Sequence, residues 1–134
     1  MAGYSGTPLV TKLGIREGTR FATRHAPPGF AVTLGPLPHG SVWRKQVRPT
    51  LDVVVAFSTR RSKFVAAWSQ LTRAVEPDGT VWLAWPKRAS RVPTDIVEDV
   101  FREDFLPTGW VDNKVCAIDE TWSGLRFALR RELR

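Results

Sequence analysis

Polar residues that could bind a ligand are concentrated around a tryptophan-rich stretch in the last third of the chain. The apolar run Trp82–Trp85 ends abruptly in the loop 86–90, which contains Lys87 and Arg88, and a helix is predicted to begin soon afterwards, at Thr94. Ligands of α/β proteins bind where the carboxyl ends of strands meet such loops and helix starts. Two fixed cations and the free backbone N–H groups of a helix start suit an anion. The pattern therefore predicts a site for a small anionic ligand after this strand.

A predicted C-terminal hairpin brings further polar side chains to the same site if it lies beside the Trp82–Trp85 strand. Competing roles stay open for several of these residues. Asp95 could cap its own helix, Lys87 and Arg88 could pair with acidic side chains, and Trp122 could anchor the turn by packing. The candidate ligand-binding residues are Lys87, Arg88, Ser90, Thr94, Asp95, Asn113, Lys114, Asp119, Trp122 and Ser123.

The residue types that usually perform catalysis are sparse. We interpret the two histidines, His25 and His39, as structural or solvated, and Cys116, which alternates with apolar residues in a predicted strand, as a small buried hydrophobe. The adjacent pair Asp119 and Glu120 favours turn capping and salt bridges over acid–base catalysis or cation binding. The HExxH, phosphate-loop and GxSxG patterns are missing from the sequence. We predict no catalytic residue and no metal site, and the sequence indicates no particular cofactor.

The net charge of +7 is unevenly distributed. Residues 1–91 carry a net charge of +10, residues 92–120 carry −6, and residues 121–134 carry +3. The basic part could attract nucleic acid or a phosphate-bearing ligand, and the acidic part could pair with it within one chain or between two copies. Nucleic acid is the less favoured partner, because the aromatic residues fall in predicted buried elements and are not placed for base stacking. The candidate basic surface consists of Arg44, Lys45, Arg48, Arg60, Arg61 and Lys63.

Length and composition are those of an ordinary globular chain. The 134 residues suit one domain that spans 1–134, and the single cysteine excludes an intramolecular disulfide framework. The apolar runs are far shorter than the roughly 20 residues of a membrane span, and no signal peptide is visible at the N-terminus. We therefore expect a cytoplasmic protein without a membrane partner.

Hydrophobic periodicity predicts alternating helices and strands. Leu51–Phe57 and Thr80–Trp85 read as strands that are buried on both faces, joined by a helix over Arg60–Val75 as a parallel crossover, and Glu76–Gly79 reads as a turn. The other predicted elements are helices at Leu9–Leu13, Phe30–Leu34 and Thr94–Phe105, strands at Thr19–His25 and Ser41–Val47, and a hairpin of Lys114–Asp119 with Leu125–Arg130.

These elements predict a single three-layer α/β domain with a mixed, mostly parallel sheet of five to six strands and a C-terminal β-hairpin. The second strand is the uncertain member of the sheet. Only Arg48-Pro49-Thr50 separates it from the next strand, whereas a parallel crossover ordinarily takes a dozen residues. We therefore expect this strand to be antiparallel or peripheral.

The order of elements resembles a truncated Rossmann-like methyltransferase fold, through the buried strand Asp52–Val55, the following helix, the stretch Pro77–Trp82 and the closing hairpin. This resemblance implies glycines after the first strand and an acidic residue after the second, which together hold S-adenosylmethionine. Here the first position reads His25-Ala26-Pro27-Pro28-Gly29 and the second reads Trp43-Arg44-Lys45-Gln46. One glycine, two prolines without backbone donors and a basic second site disfavour methyl transfer.

The chain as a whole resembles a bacterial family catalogued as domain of unknown function 3052, which brings no activity with it. The matching stretches are Gly3–Leu9, Lys12–Ile15, Ala84–Lys87, Val92–Asp95 and Val111–Phe127.

Together, these patterns favour a non-catalytic binding or regulatory module with a degenerate Rossmann-like pocket. Its ligand would be a small anion or a protein partner, and a homo-oligomer is compatible with the charge pattern. The alternatives are a basic protein associated with nucleic acid and an S-adenosylmethionine-dependent methyltransferase-like enzyme.

Overall fold

A six-stranded sheet forms the centre of the molecule. The computed structural model describes residues 6–134, so the first part of the Gly3–Leu9 match lies outside the described residues. The strands occur in the order β2-β1-β3-β4-β6-β5; β1 to β4 are parallel, and β6 and β5 are each antiparallel to the preceding strand in that order. The strands are β1 (Arg20–Arg24), β2 (Val42–Arg44), β3 (Leu51–Phe57), β4 (Val75–Pro86), β5 (Trp110–Ala117) and β6 (Trp122–Leu129).

Helices cover both faces of this sheet. They are α1 (Leu9–Leu13), α2 (Phe30–Leu34), α3 (Arg61–Ala74) and α4 (Glu98–Phe105), with 3-10 turns at Arg88–Ser90, Leu106–Thr108 and Arg131–Leu133. The predicted mixed, mostly parallel α/β fold with a C-terminal hairpin is confirmed. Within residues 6–134, no helix is long and apolar enough to cross a bilayer.

The two apolar faces of the central strands explain the layered packing. In β3, Val53 and Val55 join one buried cluster with α1 and α2, while Val54 and Ala56 join the other with α3 and α4. The indole N–H of buried Trp82 donates a hydrogen bond to the Leu13 carbonyl at 3.1 Å, which satisfies the polar atom of an otherwise apolar side chain. Burial on both faces is the reason that this strand is continuously apolar in the sequence.

The second strand is peripheral, as expected, but it is parallel to β1 and not antiparallel. Arg20 lies opposite Val42 and Ala22 lies opposite Arg44, which places β2 at the edge of the sheet. A six-residue connection to β3 suffices because β2 is only three residues long. The chain has to return by only about 10 Å along the strand direction and cross one strand. The requirement for a dozen residues applies to longer strands that are linked through a helix.

The predicted turn at Glu76–Gly79 is wrong, because these residues form a bulge inside β4. Leu51 pairs with Val75 and Val53 pairs with Thr80, so β4 carries extra residues over a short step of β3. Gly79 allows the bulge to lie flat against β3. A Cβ at this position would come within 2.9 Å of both the Asp52 carbonyl oxygen and the Val75 Cβ atom.

An ion pair fastens the start of β1 to β3. The backbone N–H of Arg20 donates to Asp52 Oδ2 at 2.8 Å, and its guanidinium donates to both carboxylate oxygens at 3.2 and 3.0 Å. Partial burial on its own would raise the pKa of Asp52, but the hydrogen bonds and the charge of Arg20 lower this pKa below its usual value. The pair therefore stabilises the folded chain only while Asp52 is ionised.

Replacing Gly79 with alanine is expected to lower the free energy of unfolding by about 1–3 kcal/mol, because the new methyl group would collide with a backbone oxygen that has no room to move. Urea denaturation of Gly79→Ala measures the effect. Asp78→Ala is the matched control, since Asp78 is exposed in the same bulge. Equal stability of the two variants would contradict the close approach of β4 to β3.

Asp52→Asn is expected to be less stable than the original chain near neutral pH and to lose this deficit in acid. Because the folded pKa is depressed, the contribution of Asp52 is nearly complete above about pH 5 and is lost gradually below about pH 4, as the pH falls through the folded pKa. Urea midpoints at about pH 7 and about pH 3 test this, with exposed Glu120→Gln as the control. A deficit of the same size at both pH values would show that the ion pair is not its cause.

Candidate functional site

The carboxyl ends of β1 to β4 meet at one edge of the sheet, and cavities lie along this edge. One cavity, here called the Lys87 cavity, has a volume of about 480 Å³ and follows the end of β4. Its walls come from the loop after β4, the segment that leads into α4, and β6. The residues that line it are Trp85, Pro86, Lys87, Arg88, Arg91, Val92, Pro93, Thr94, Ile96, Val97, Glu98 and Ser123.

Backbone hydrogen bonds hold the Lys87 loop against the hairpin. The N–H of Lys87 donates to the Thr121 carbonyl at 2.8 Å. The Ser90 hydroxyl donates to the Lys87 carbonyl at 2.7 Å and accepts the N–H of Val92 at 3.2 Å, so Ser90 closes the loop and does not line the cavity. Ser123 reaches the cavity because it pairs with Trp85 across β6 and β4. The loop is thus fixed at both ends while the Lys87 and Arg88 side chains point outward from it.

The predicted helix start at Thr94 is wrong, because α4 begins at Glu98. Thr94 donates its hydroxyl proton to the Thr59 carbonyl at 2.6 Å and accepts the Ile96 N–H at 3.1 Å. Asp95 accepts the backbone N–H of Arg61 at 2.8 Å. Asp95 therefore caps α3 and not its own helix, and these bonds hold the segment extended where a first helical turn was expected. The backbone donors proposed at Thr94 and Asp95 are not those of a helix N-terminus.

The remaining candidates in the hairpin are not brought to the Lys87 cavity. Asn113 accepts a hydrogen bond from the Arg126 guanidinium at 2.7 Å, and Lys114 lies opposite Arg126 in the β5–β6 register. Asp119 accepts the N–H groups of Thr121 and Trp122, both at 2.8 Å, and so closes the turn.

Trp122 points to the opposite face of the sheet from Ser123 and packs edge-to-face on Phe57, with ring centres 5.2 Å apart. Of the ten sequence candidates, Lys87, Arg88, Thr94 and Ser123 line one cavity.

The predicted basic surface divides into separate environments. Arg44, Arg60 and Lys63 are exposed, and Arg60 lines a shallow cavity of about 330 Å³ beside Thr94. Arg61 is different, because both oxygens of Asp104 accept hydrogen bonds from it at 2.7 Å and Glu103 accepts another at 3.3 Å. These hydrogen bonds, above all those to Asp104, raise the pKa of Arg61, and the two carboxylates balance its positive charge. Arg61 therefore contributes little positive field to a ligand.

Lys45 and Arg48 line a second cavity of about 410 Å³, here called the Lys45 cavity, at the ends of β1 and β2. Arg24, His25 and Gln70 complete its wall with their neighbours. Sequence reasoning missed Arg24 and Gln70 as site residues. The signal for Arg24 was its position as the last residue of a parallel strand, and no local signal marked Gln70, which lies in the middle of α3.

Cys116 is buried, and burial raises the pKa of its thiol. A raised pKa keeps the sulfur protonated at neutral pH, so it is a poor nucleophile. This environment agrees with the interpretation of Cys116 as a small hydrophobe. Within residues 6–134, no group of three or more His, Cys, Asp or Glu side chains is placed to hold a metal ion.

Solved methyltransferase structures share this fold. The ribosomal protein L11 methylase of Lactobacillus delbrueckii subsp. bulgaricus matches with a TM-score of 0.59 and 9% identity, over 92% of this chain and 75% of that one. The N-methyltransferase NodS of Bradyrhizobium japonicum matches with a TM-score of 0.58 and 12% identity, over 92% of this chain and 93% of that one. Fibrillarin of Aeropyrum pernix, solved with natively bound S-adenosyl-L-methionine, matches with a TM-score of 0.57 and 11% identity, over 95% of this chain and 71% of that one.

The chain therefore has a methyltransferase-like fold, and identities this low carry the fold alone. No model of a known protein family matches the chain, and no curated protein is similar to it in sequence. The predicted membership of domain of unknown function 3052 is not confirmed.

Removing the carboxylate that caps α3 is expected to cost about 1 kcal/mol of unfolding free energy in Asp95→Ala, the usual effect of losing a helix cap. Chemical denaturation measures the cost. Asp99→Ala is a suitable control, because Asp99 is an exposed carboxylate in α4 that accepts a hydrogen bond from Arg102 of the same helix. A stability change no larger than that of the control would mean that Asp95 does not cap α3.

Proposed function

We propose that this chain is a non-catalytic binding or regulatory module that holds a small molecule with an anionic group and an apolar body in the Lys87 cavity. The observation that carries the proposal is a cavity of about 480 Å³ with an apolar wall and an unneutralised cationic rim, at the carboxyl end of β4. Small-molecule sites typically occupy about 300–1,000 Å³ and combine apolar walls with a few polar groups. The carboxyl edge of a sheet is also where open α/β proteins bind their ligands.

The cations at the Lys87 cavity favour a ligand with an anionic group. Within residues 6–134, none of Lys87, Arg88 and Arg91 is paired with a carboxylate. The one acidic residue of the wall, Glu98, binds Arg102 and so does not neutralise them. Lys87 is half-buried beside Pro86, which strengthens its field toward a bound anion.

The apolar wall of the Lys87 cavity suits a ligand whose apolar part can be buried against it. Ile96 and Trp85 are buried and form the floor, whereas Val92 and Val97 are 38% and 57% exposed at the rim. A bound apolar group that covered these valines would gain about 25 cal/mol for each Å² removed from water. A carboxylate or phosphate with an aliphatic or aromatic body has this combination of properties.

The second candidate is S-adenosylmethionine-dependent methyl transfer, which the fold likeness favours more directly than it favours binding without catalysis. Such a cofactor would approach the end of β1, where the chain leaves through His25-Ala26-Pro27-Pro28-Gly29. Two prolines there lack the backbone N–H groups that could bind the cofactor. The nearby Arg24, Lys45 and Arg48 would also repel the positively charged sulfonium. These residues are the reason that we place this candidate second.

A thermal-shift and calorimetric screen distinguishes the two candidates. The probes are octanoate, phenyl phosphate and S-adenosylmethionine, each at low and at higher salt. We expect octanoate or phenyl phosphate to raise the melting temperature, and Lys87→Ala/Arg88→Ala to weaken its binding about tenfold. Arg44→Ala/Lys63→Ala is the matched control, because both residues are exposed and neither lines the Lys87 cavity.

Stabilisation by S-adenosylmethionine that the Lys87→Ala/Arg88→Ala variant retains would instead favour the methyltransferase candidate. No shift with any probe would contradict both and favour a protein partner or a second copy of the chain. From the sequence, we also propose that the chain belongs to domain of unknown function 3052, that residues 1–134 form a single domain and that the protein is cytoplasmic.

A further inference from the structure

The Lys45 cavity joins three parts of the fold around one concave space. Arg24 donates to the Gln70 side-chain oxygen at 3.3 Å, and the Gln70 amide donates to the Val47 carbonyl at 3.3 Å. Gln70 thereby ties the end of β1 and the loop after β2 to α3. The cavity between them measures about 410 Å³ and lies more than one strand away from the Lys87 cavity along the sheet edge.

Positive charge in this cavity is not neutralised by the chain. No carboxylate lines it, and Arg24, Lys45 and Arg48 form no ion pair within residues 6–134. Arg24 gives one N–H group to Gln70 and keeps the rest of its five donors for another acceptor. Lys45 and Arg48 are exposed and can turn toward a ligand.

The backbone conformation at the end of β1 also favours a binding site at the Lys45 cavity. His25 adopts a left-handed conformation with φ of 56°, which is uncommon for a residue other than glycine and tends to occur at functional positions. The conformation ends β1 sharply and leaves the exposed imidazole on the cavity wall. The imidazole N–H adds one more donor beside the three cations of the wall.

We propose that the Lys45 cavity binds the phosphate group of a small phosphate ester, of the size of one nucleotide. Arginine and lysine together match the geometry and charge of a phosphate, because the guanidinium fork donates in pairs and the ammonium acts as a point charge. Where dinucleotide-binding folds use an acidic residue for a free ribose, a basic residue in its place accommodates a ribose phosphate. In this chain the residue directly after β2 is Lys45, which lies at that place.

A small ligand fits these observations better than a nucleic-acid strand. The cations lie around one concave space of about 410 Å³, which is the size of a small ligand. Among residues 6–134, every phenylalanine is buried, and the two half-buried tryptophans, Trp43 and Trp122, already pack on Phe21 and Phe57. A row of exposed aromatic rings for stacking bases is therefore missing from these residues. The proposal is independent of the Lys87 cavity, because the two sites share no residue.

Calorimetric titration of the full chain tests the proposal with four probes: adenosine 5′-monophosphate, inorganic phosphate, adenosine and a short single-stranded oligonucleotide. We expect the monophosphate to bind and adenosine not to bind. Lys45→Glu/Arg48→Glu should weaken the monophosphate about tenfold or more, as expected when hydrogen bonds to a charged group are lost. Both residues are exposed, so the variant should fold.

Arg44→Glu is the matched control, since Arg44 adjoins Lys45, is exposed and does not line the cavity. It should change the dissociation constant less than about twofold, apart from a weak effect of net charge. Lys87→Ala/Arg88→Ala should leave the monophosphate affinity unchanged, which separates this site from the proposed function.

Inorganic phosphate that competes with the monophosphate would support the site, whether the ligand is the free ion or an ester. Equal affinity for phosphate and monophosphate would identify the free ion as the ligand, and tighter binding of the monophosphate would identify an ester. The proposal is overturned if neither binds, if Arg44→Glu weakens binding as much as the double variant, or if only the oligonucleotide binds and higher salt abolishes its binding.

Discussion

Within residues 6–134, seven carboxylates pair with three arginines, and this pairing is the constraint on which the rest of the structure depends. Arg61 joins the first residue of α3 to the end of α4, and Arg102 joins α4 to β5. Arg20 makes the equivalent link from β1 to β3. Each exposed pair contributes little by itself, and α4 is too short to be stable alone. The buried rings of Phe101 and Phe105 pack α4 against Trp85 and Trp68, while the ion pairs fix its position.

This pairing also determines where the charge of the chain is presented. Most of the acidic side chains of residues 92–112 bind arginines of the fold or, as Asp95 does, a helix N–H group. The cations that follow β1, β2 and β4 are left without such partners at one edge of the sheet. A concave edge lined by one sign of charge focuses the field and raises the local concentration of counter-ions. Part of the net charge of +7 is therefore concentrated along this edge of the sheet, where we propose that anions bind.

Sequence reasoning was accurate for the buried apolar strands and failed where distant residues meet. The apolar runs of β3 and β4, with a helical stripe between them, sufficed for the parallel core and the mixed fold. The Lys87 loop could be found because it directly follows a buried strand. The role of Asp95 could not, since its partner Arg61 is 34 residues away and the local sequence reads as a cap for the wrong helix.

The Lys45 cavity shows the same limit of sequence reasoning, because its residues come from distant parts of the chain. Arg24, Arg48 and Gln70 come from three elements, and only the strand order places them around one space. The direction of β2 decides this arrangement, because a parallel β2 delivers its following residues to the carboxyl edge and an antiparallel one would deliver them to the opposite edge. Sequence left that direction open, because a connection of six residues looks too short until β2 is known to span only three residues.

The shared fold does not by itself give this chain the chemistry of the methyltransferases, because the fold and the residues at the sheet edge depend on different parts of the sequence. The sheet depends on the apolar runs, which this chain keeps. Ligand choice depends on the few residues after each strand, and here these bring proline and positive charge to the places where an S-adenosylmethionine site needs backbone donors and a carboxylate. The residues after β3 are already bonded to Thr94 and Asp95, so the chain's own polar groups occupy that part of the edge. Beside β1, β2 and β4, this edge has two concave spaces whose cations form no ion pair within residues 6–134, and this is why we propose anion binding for both of them.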